Sequence, residues 1–309
     1  MTVVLVVLAF SFAWSIGSHY TGACMGMPYA LGAIRAGAAL ALMAPLALAG
    51  AALASGKVAH TVGLELIDAT PTRLGEVVVV SVAFGITSLY NRARIPTSTI
   101  QLLVGSVAGV AIGAHVGVHW HTIAILAVIW AAAPPVAAAV GYAGGRTLAG
   151  VKRVGGALVL VGCAASFAMG ANDVALASGA LVGPGVLGAH AAGLLCGVGL
   201  AAGVLVTGRG LLDRVAFDIV ELDRVTATAA QFVQGLVILV AVSFGYFTSM
   251  NQALVGAMAG AGTARGRHAV NTRMLTGIVR GWVTGPPTSF ALALAAGLLV
   301  RAAGATLVH

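Results

Sequence analysis

Apolar residues run through this chain in long, nearly unbroken stretches, at 2–16, 30–55, 75–91, 98–114, 121–144, 154–168, 183–207, 225–246, 250–263 and 270–300, and polar residues gather in the gaps. A lipid-facing barrel would instead alternate apolar and polar positions over segments of about ten residues. Helices are therefore predicted. A crossing of the bilayer needs roughly 20 apolar residues, and several of these runs are shorter, so some helices are expected to be broken or re-entrant. The pattern predicts an all-α integral membrane protein of about 10–12 membrane segments. No Lys or Arg precedes the first run and no small-residue cleavage site follows it, so it reads as the first helix and not as a removable signal.

Composition agrees. Of 309 residues, 60% are hydrophobic and 8% charged, with a mean hydropathy of +1.03, whereas soluble domains carry about 25% charge. The formal charge of +8 does not call for a nucleic-acid partner, because the basic residues lie mainly between apolar runs, as loops of a bilayer protein do. The stretch with Arg146, Lys152 and Arg153 is the most basic of these and is expected on the cytoplasmic side. Cys24, Cys163 and Cys196 sit in or beside apolar runs without metal-ligand spacing and read as small packing residues.

The chain writes several things twice. TSTIQLLVG at 97–105 returns as TSMNQALVG at 248–256, and WAAAPP at 130–135 returns as WVTGPP at 282–287. Upstream, FAWSIGSHYTGACMG, ending at Gly26, parallels SFAMGANDVALASG, ending at Gly179, with Gly17 and Gly170 aligned. Shared order and spacing imply an internal duplication, with a first repeat over 1–150 and a second over 151–309 in one membrane domain. Each half has about five apolar segments, and an odd number of crossings would set the second half upside down. Inverted repeats are an architecture of secondary transporters, which bind substrate near the midplane where discontinuous helices of both halves meet.

Most acidic residues fall in the gaps: Glu65, Asp68 and Glu76 after the second run, and Asp213, Asp218, Glu221 and Asp223 in the matching gap of the other half. Asp173 stands alone among apolar neighbours. A carboxylate in the hydrocarbon costs about 2.5–3.5 kcal/mol on insertion scales, so it normally faces a cavity, a partner or an ion. A second reading makes Asn172 and Asp173 the cap of a helix, which is compatible with the first because a helix N-terminus at mid-depth attracts anions.

GANDVALASG at 170–179 resembles the GANDVANA-type signature of the inorganic phosphate transporter (PiT) family, which occurs once per half at the opening of a broken helix. The two Ser-containing nonapeptides resemble that family's PVSTTH-type segments, and GIVRGWVTGPP its closing helix; the likeness runs through both halves. It implies cotransport of an inorganic oxyanion, usually phosphate, with Na+ or H+ and no other cofactor. It also implies a multi-pass protein of the cell membrane and a homodimer. Carried over by position, the likeness assigns the anion to Asp173, Asn172, Ser98, Thr99, Ser249, Asn251, Thr21 and His19. The coupling ion falls to Asp173, Asn172, Gln101 and Gln252.

The departures are specific. GSHYTGA stands where the first signature would be, so His19 replaces an Asn, Tyr20 the Asp and Ala23 a later Asn; Leu176 replaces that later Asn in the second half. Gln101 and Gln252 stand where each PVSTTH-type segment has His. One of two carboxylates is missing, which puts a sodium site of the family pattern in question. His19, an imidazole with an ordinary pKa of about 6.5, either couples protons or simply bonds a neighbouring helix. A sulfate or other oxyanion permease of the same fold is the first alternative, and a transport-incompetent membrane sensor or partner protein the second. An enzyme is not expected: the chain shows no HExxH, no nucleophile paired with a base, and no GxxxxGK[ST] loop. His115, His119 and His121 lie at the edge of an apolar run beside Trp120, where polar-tipped side chains collect at the interface, and no Cys or acid beside them completes a metal site.

Overall fold

The computed structural model describes residues 1–92, 97–147, 155–212, 223–264, 266 and 271–308. The first half holds α1 (Thr2–His19), a π-helical turn (Gly22–Gly26), α2 (Met27–Ala30), α3 (Ala36–Ala54), α4 (Gly56–Leu64), α5 (Arg73–Arg92), α6 (Thr99–Gly113) and α7 (Trp120–Thr147). The second holds α8 (Gly155–Val182), α9 (Ala189–Thr207), α10 (Arg209–Leu212), α11 (Arg224–Ser243), α12 (Met250–Thr263) and α13 (Thr272–Ala302). The same sequence of long and short elements appears twice. Among the described residues, extended pairing is confined to the bridges Ile67 with Val118 and Pro71 with Val308. Among the described residues, eight helices are long and apolar enough to cross a membrane, four from each half; α6 and α12 are shorter, at 15 and 14 residues. At 1.5 Å per residue they reach about 22 Å, less than the roughly 30 Å of hydrocarbon.

Those two short helices belong to hairpins that enter and return. Asp68 N–H, just before α5, donates to Gly117 O, just after α6, at 2.9 Å, and His119 N–H donates to Leu66 O at 3.0 Å. The chain therefore goes in along α5 and comes back along α6 to the face it left. The C-terminal segment closes the same face, with Thr72 N–H donating to Leu307 O at 2.9 Å.

The packing of glycine stripes fixes the orientation of the halves. Along α6, Gly105, Gly109 and Gly113 meet Pro286, Phe290 and Leu294 of α13 in ascending order, so the two helices run parallel. Along α12, Gly256 and Gly260 meet Pro134 and Ala138 of α7, again in parallel. Since α7 sets off from the face where α6 ends, α12 points opposite to α6. The second half is inverted, as the odd crossing number predicts. Reciprocity goes down to single residues. A Cβ on Gly17 would strike Leu200 O and one on Gly170 would strike Ala47 O; Gly203 faces Trp14 O as Gly50 faces Phe167 O. Only a residue without a side chain lets these backbones approach, the small-residue packing that substitutes in lipid for a hydrophobic drive.

Two details differ from the sequence reading. The run at 154–168 and the GANDVALASG segment form one continuous helix, α8, so Asn172 and Asp173 lie in mid-helix and cap nothing. In the first half the matching segment becomes the π-helical turn at Gly22–Gly26. Glu76, expected in a loop, is in the first turn of α5 and 6% exposed, beside Gly183 at the end of α8. Lys152, Arg153, Asp213, Asp218 and Glu221 lie outside the described residues.

Candidate functional site

The N-termini of α6 and α12, from oppositely directed hairpins, open toward the middle of the molecule. Ser98 and Ser249 cap them: Ser98 Oγ accepts from Gln101 N–H at 3.5 Å and Ser249 Oγ from Gln252 N–H at 3.4 Å. Both serines are fully buried. A serine suits the place because its extended backbone starts the helix while its hydroxyl takes one of the orphan N–H groups. The remaining first-turn N–H groups carry the positive end of the helix dipole into the interior.

Between these ends lies the middle of α8. Asn172 Oδ1 accepts from Thr248 N–H at 3.2 Å, which fixes the amide, because a backbone N–H can only donate. Asn172 Nδ2 then donates to Thr248 O at 2.9 Å and to Asp173 Oδ2 at 3.0 Å. The two-point hold on Thr248 positions the residue directly before the Ser249 cap. On the other side, the Tyr20 hydroxyl lies 3.0 Å from Thr99 Oγ1 and sits beside the Asp173 carboxylate. Tyr20 thus links α1 to α6. From α11, Gln231 Nε2 donates to Cys24 O and, at 3.4 Å, to Ala23 O, satisfying carbonyls of the π-helical turn. Gln234 Nε2 donates to Met250 O at 3.5 Å.

This cluster is buried and incompletely paired. Tyr20, Ser98, Asn172, Asp173, Gln231, Gln234, Thr248 and Ser249 are all buried at 0% exposure. Asp173 Oδ1, Thr248 Oγ1 and the Oε1 atoms of Gln101, Gln231, Gln234 and Gln252 have no hydrogen-bond partner among the described residues. Each such group costs about 1–3 kcal/mol if left bare, so a concentration of them around two helix N-termini is the mark of a place that receives a polar ligand.

The residues singled out from sequence are brought together unevenly. Asp173, Asn172, Ser98, Thr99, Ser249, Gln101 and Gln252 share this region. His19 is half-buried and sets its ring edge-on to Tyr20, centroids 5.2 Å apart. Asn251 follows the Ser249 cap in the first turn of α12 and is half-buried. Thr21 turns away: its hydroxyl donates to Gly17 O at 3.0 Å and to Ser18 O at 2.9 Å, on its own helix. Tyr20, Thr248, Gln231 and Gln234 were missed. Tyr20 is legible through its alignment with Asp173 in the repeat, where the sequence shows a lost carboxylate and the structure a gained hydroxyl on Thr99. Of the histidines near 119, His119 is tied to the segment before α5: its Nε2 contacts Asp68 Oδ1 and its Nδ1 lies 3.1 Å from Glu65 O. Among the described residues no group of three His, Cys, Asp or Glu could hold a metal ion.

Inverted halves, re-entrant hairpins and a buried polar centre where their helix ends meet define a multi-pass membrane protein of the inverted-repeat type. The model of the phosphate transporter family matches the chain twice, over residues 16–153 and 150–293. The protein belongs to that family. It is 27% identical to the sulfate permease CysP of Bacillus subtilis, over 94% of this chain and 86% of that one. It is 30% identical to a probable low-affinity inorganic phosphate transporter of Mycobacterium tuberculosis, over 93% of this chain and 74% of the relative. The fold is that of a solved structure described as a sodium-dependent phosphate transporter, with a TM-score of 0.87 at 21% identity, covering 97% of this chain and 99% of that one. These relatives are transporters and permeases by name, not enzymes.

Proposed function

We propose that this protein is a secondary transporter of the cell membrane that moves an inorganic oxyanion, phosphate first, by alternating access around the central site and in symport with Na+ or H+. The observation that carries the reading is the convergence of two oppositely directed, serine-capped helix N-termini on Asn172, Asp173 and Tyr20. Hydroxyl and backbone N–H donors replace the water of a stripped anion. We assign the anion to Ser98, Thr99, Ser249, Asn251, Asn172 and Asp173, with His19 at the margin. The carboxylate and amide oxygens of Asp173, Asn172, Gln101 and Gln252 are the groups that suit a coupling cation. The repeats meet near residue 150, the basic linker faces the cytoplasm, and two chains pair.

Sulfate is the second reading, favoured by the 27% identity to a sulfate permease along most of both chains. Purified protein in liposomes, given radiolabelled phosphate or sulfate with a sodium gradient, a proton gradient or neither, separates these possibilities. Uptake of phosphate driven by one gradient is expected. Failure to accumulate either anion under any gradient would leave a membrane sensor or partner protein. Asp173→Asn should abolish accumulation; full accumulation by that variant would remove Asp173 from the site.

A further inference from the structure

Asp173 presents its two oxygens to different surroundings. Oδ2 accepts from Asn172 Nδ2 at 3.0 Å, and the direction of that bond is not adjustable because Thr248 N–H holds the other end of the amide. Oδ1 is buried and has no partner among the described residues. It lies in the cluster formed by the caps of α6 and α12, with the Tyr20 hydroxyl engaged by Thr99 Oγ1. First-turn N–H groups and hydroxyls there can donate to an anion, and the unpartnered amide oxygens of Gln101, Gln231, Gln234 and Gln252 are neutral. Oδ1 belongs to the one carboxylate among these groups, an acceptor that a substrate O–H can satisfy and a bare anionic oxygen cannot.

We propose that Asp173 is a specificity-determining residue that selects oxyanions carrying their own proton, phosphate and arsenate, over those that carry none at neutral pH, sulfate and selenate. This rests on the transport reading above and chooses between its two anions. A hydrogenphosphate donates its O–H to Oδ1 and accepts from the surrounding donors with its other oxygens. A sulfate has lone pairs on every oxygen and sets one of them, with its charge, against Oδ1. A site built to bond a substrate hydroxyl rejects analogues lacking it by about 10⁴-fold or more where the pairing is complete, so discrimination of at least about 100-fold is expected here. Tyr20 contributes by position: a hydroxyl where the repeat would place a second carboxylate leaves one charged acceptor in the cluster, enough for the single proton of hydrogenphosphate.

The test is equilibrium binding to detergent-purified protein at pH 7.5, with labelled phosphate displaced by arsenate, sulfate, selenate and monofluorophosphate, each with and without Na+. Monofluorophosphate is decisive because it keeps the phosphorus, the size and a double negative charge but has no O–H. Arsenate is expected to compete within about threefold of phosphate, and the three proton-free anions at least about 100-fold more weakly. Asp173→Asn should narrow that ratio to below about tenfold, since its amide can turn an N–H toward a proton-free anion. Sulfate or fluorophosphate competing within tenfold of phosphate in the wild type would overturn the proposal, as would an unchanged ratio in Asp173→Asn. The wild-type comparison stands even if the variant does not fold. A protein that binds phosphate selectively but does not accumulate it would refute the transport reading and leave the selectivity intact; one that binds no oxyanion refutes this inference too.

Discussion

At the scale of single residues, Asn172 and Asp173 are adjacent in sequence and have different tasks. Asn172 spends its amide on the backbone of Thr248 and on Asp173, so it holds the α12 N-terminus in place while orienting the carboxylate. Asn172→Ala removes both bonds to Thr248 and leaves Asp173 Oδ2 without its amide donor. Anion affinity should fall about tenfold, equivalent to about 1.4 kcal/mol, read by equilibrium binding; an unchanged affinity would mean that the α12 terminus does not need this hold. The pair was conspicuous in the sequence because a carboxylate among apolar neighbours is expensive. Its partners were not, since Thr248, Gln231 and Gln234 look like ordinary polar residues until folding brings α8, α11 and α12 together. Tyr20 shows the converse, a residue whose column in the repeat was visible but whose contact with Thr99 was not.

At the scale of elements, the short helices α6 and α12 are set by their caps and by what lies behind them. Trp130 Nε1 donates to Phe247 O at 3.0 Å, fastening the tip of the second hairpin to α7, and the parallel glycine contacts with α7 and α13 hold each short helix along its length. Replacing the cap serine by alanine, Ser98→Ala or Ser249→Ala, costs about 1 kcal/mol of helix stability and also removes a hydroxyl from the anion. Either change should weaken phosphate binding while the melting temperature in detergent falls by only a few degrees. A loss of folding without a loss of affinity would assign these serines to capping alone. The shortness of these runs and their repetition were legible in the order of residues. It did not distinguish a short crossing from a returning hairpin, because that depends on residues 66–68 meeting 117–119 across more than forty intervening positions.

At the scale of the whole molecule, the two halves interlock through reciprocal contacts, α1 with α9 and α3 with α8, α6 with α13 and α12 with α7. Neither half encloses the site alone. Gly17→Val and Gly170→Val each drive a side chain into a carbonyl of the other half, and overpacking of this kind costs about 1–3 kcal/mol or more. Both should lower thermal stability in detergent, and by similar amounts because the contacts are equivalent. The inversion can be read directly in a cysteine-free background. Trp120→Cys and Ala303→Cys should react with a membrane-impermeant thiol reagent from one side of the bilayer, and Thr147→Cys and Thr272→Cys from the other. Labelling of Trp120→Cys and Thr147→Cys from the same side would contradict the topology.

Hydropathy by itself determined that the chain lives in a bilayer and is helical, since in hydrocarbon a continuous apolar run can satisfy its backbone only by coiling on itself. Duplication and an odd number of segments determined that the halves oppose each other. The tertiary structure alone decided that α8 runs unbroken through the Asn172–Asp173 pair, that α5 and α6 return to the same face, and that Tyr20 reaches Thr99. The reason is physical: hydrophobicity and repetition are properties of local sequence, whereas a buried donor or acceptor takes its meaning from whichever partner the packing of distant helices places beside it.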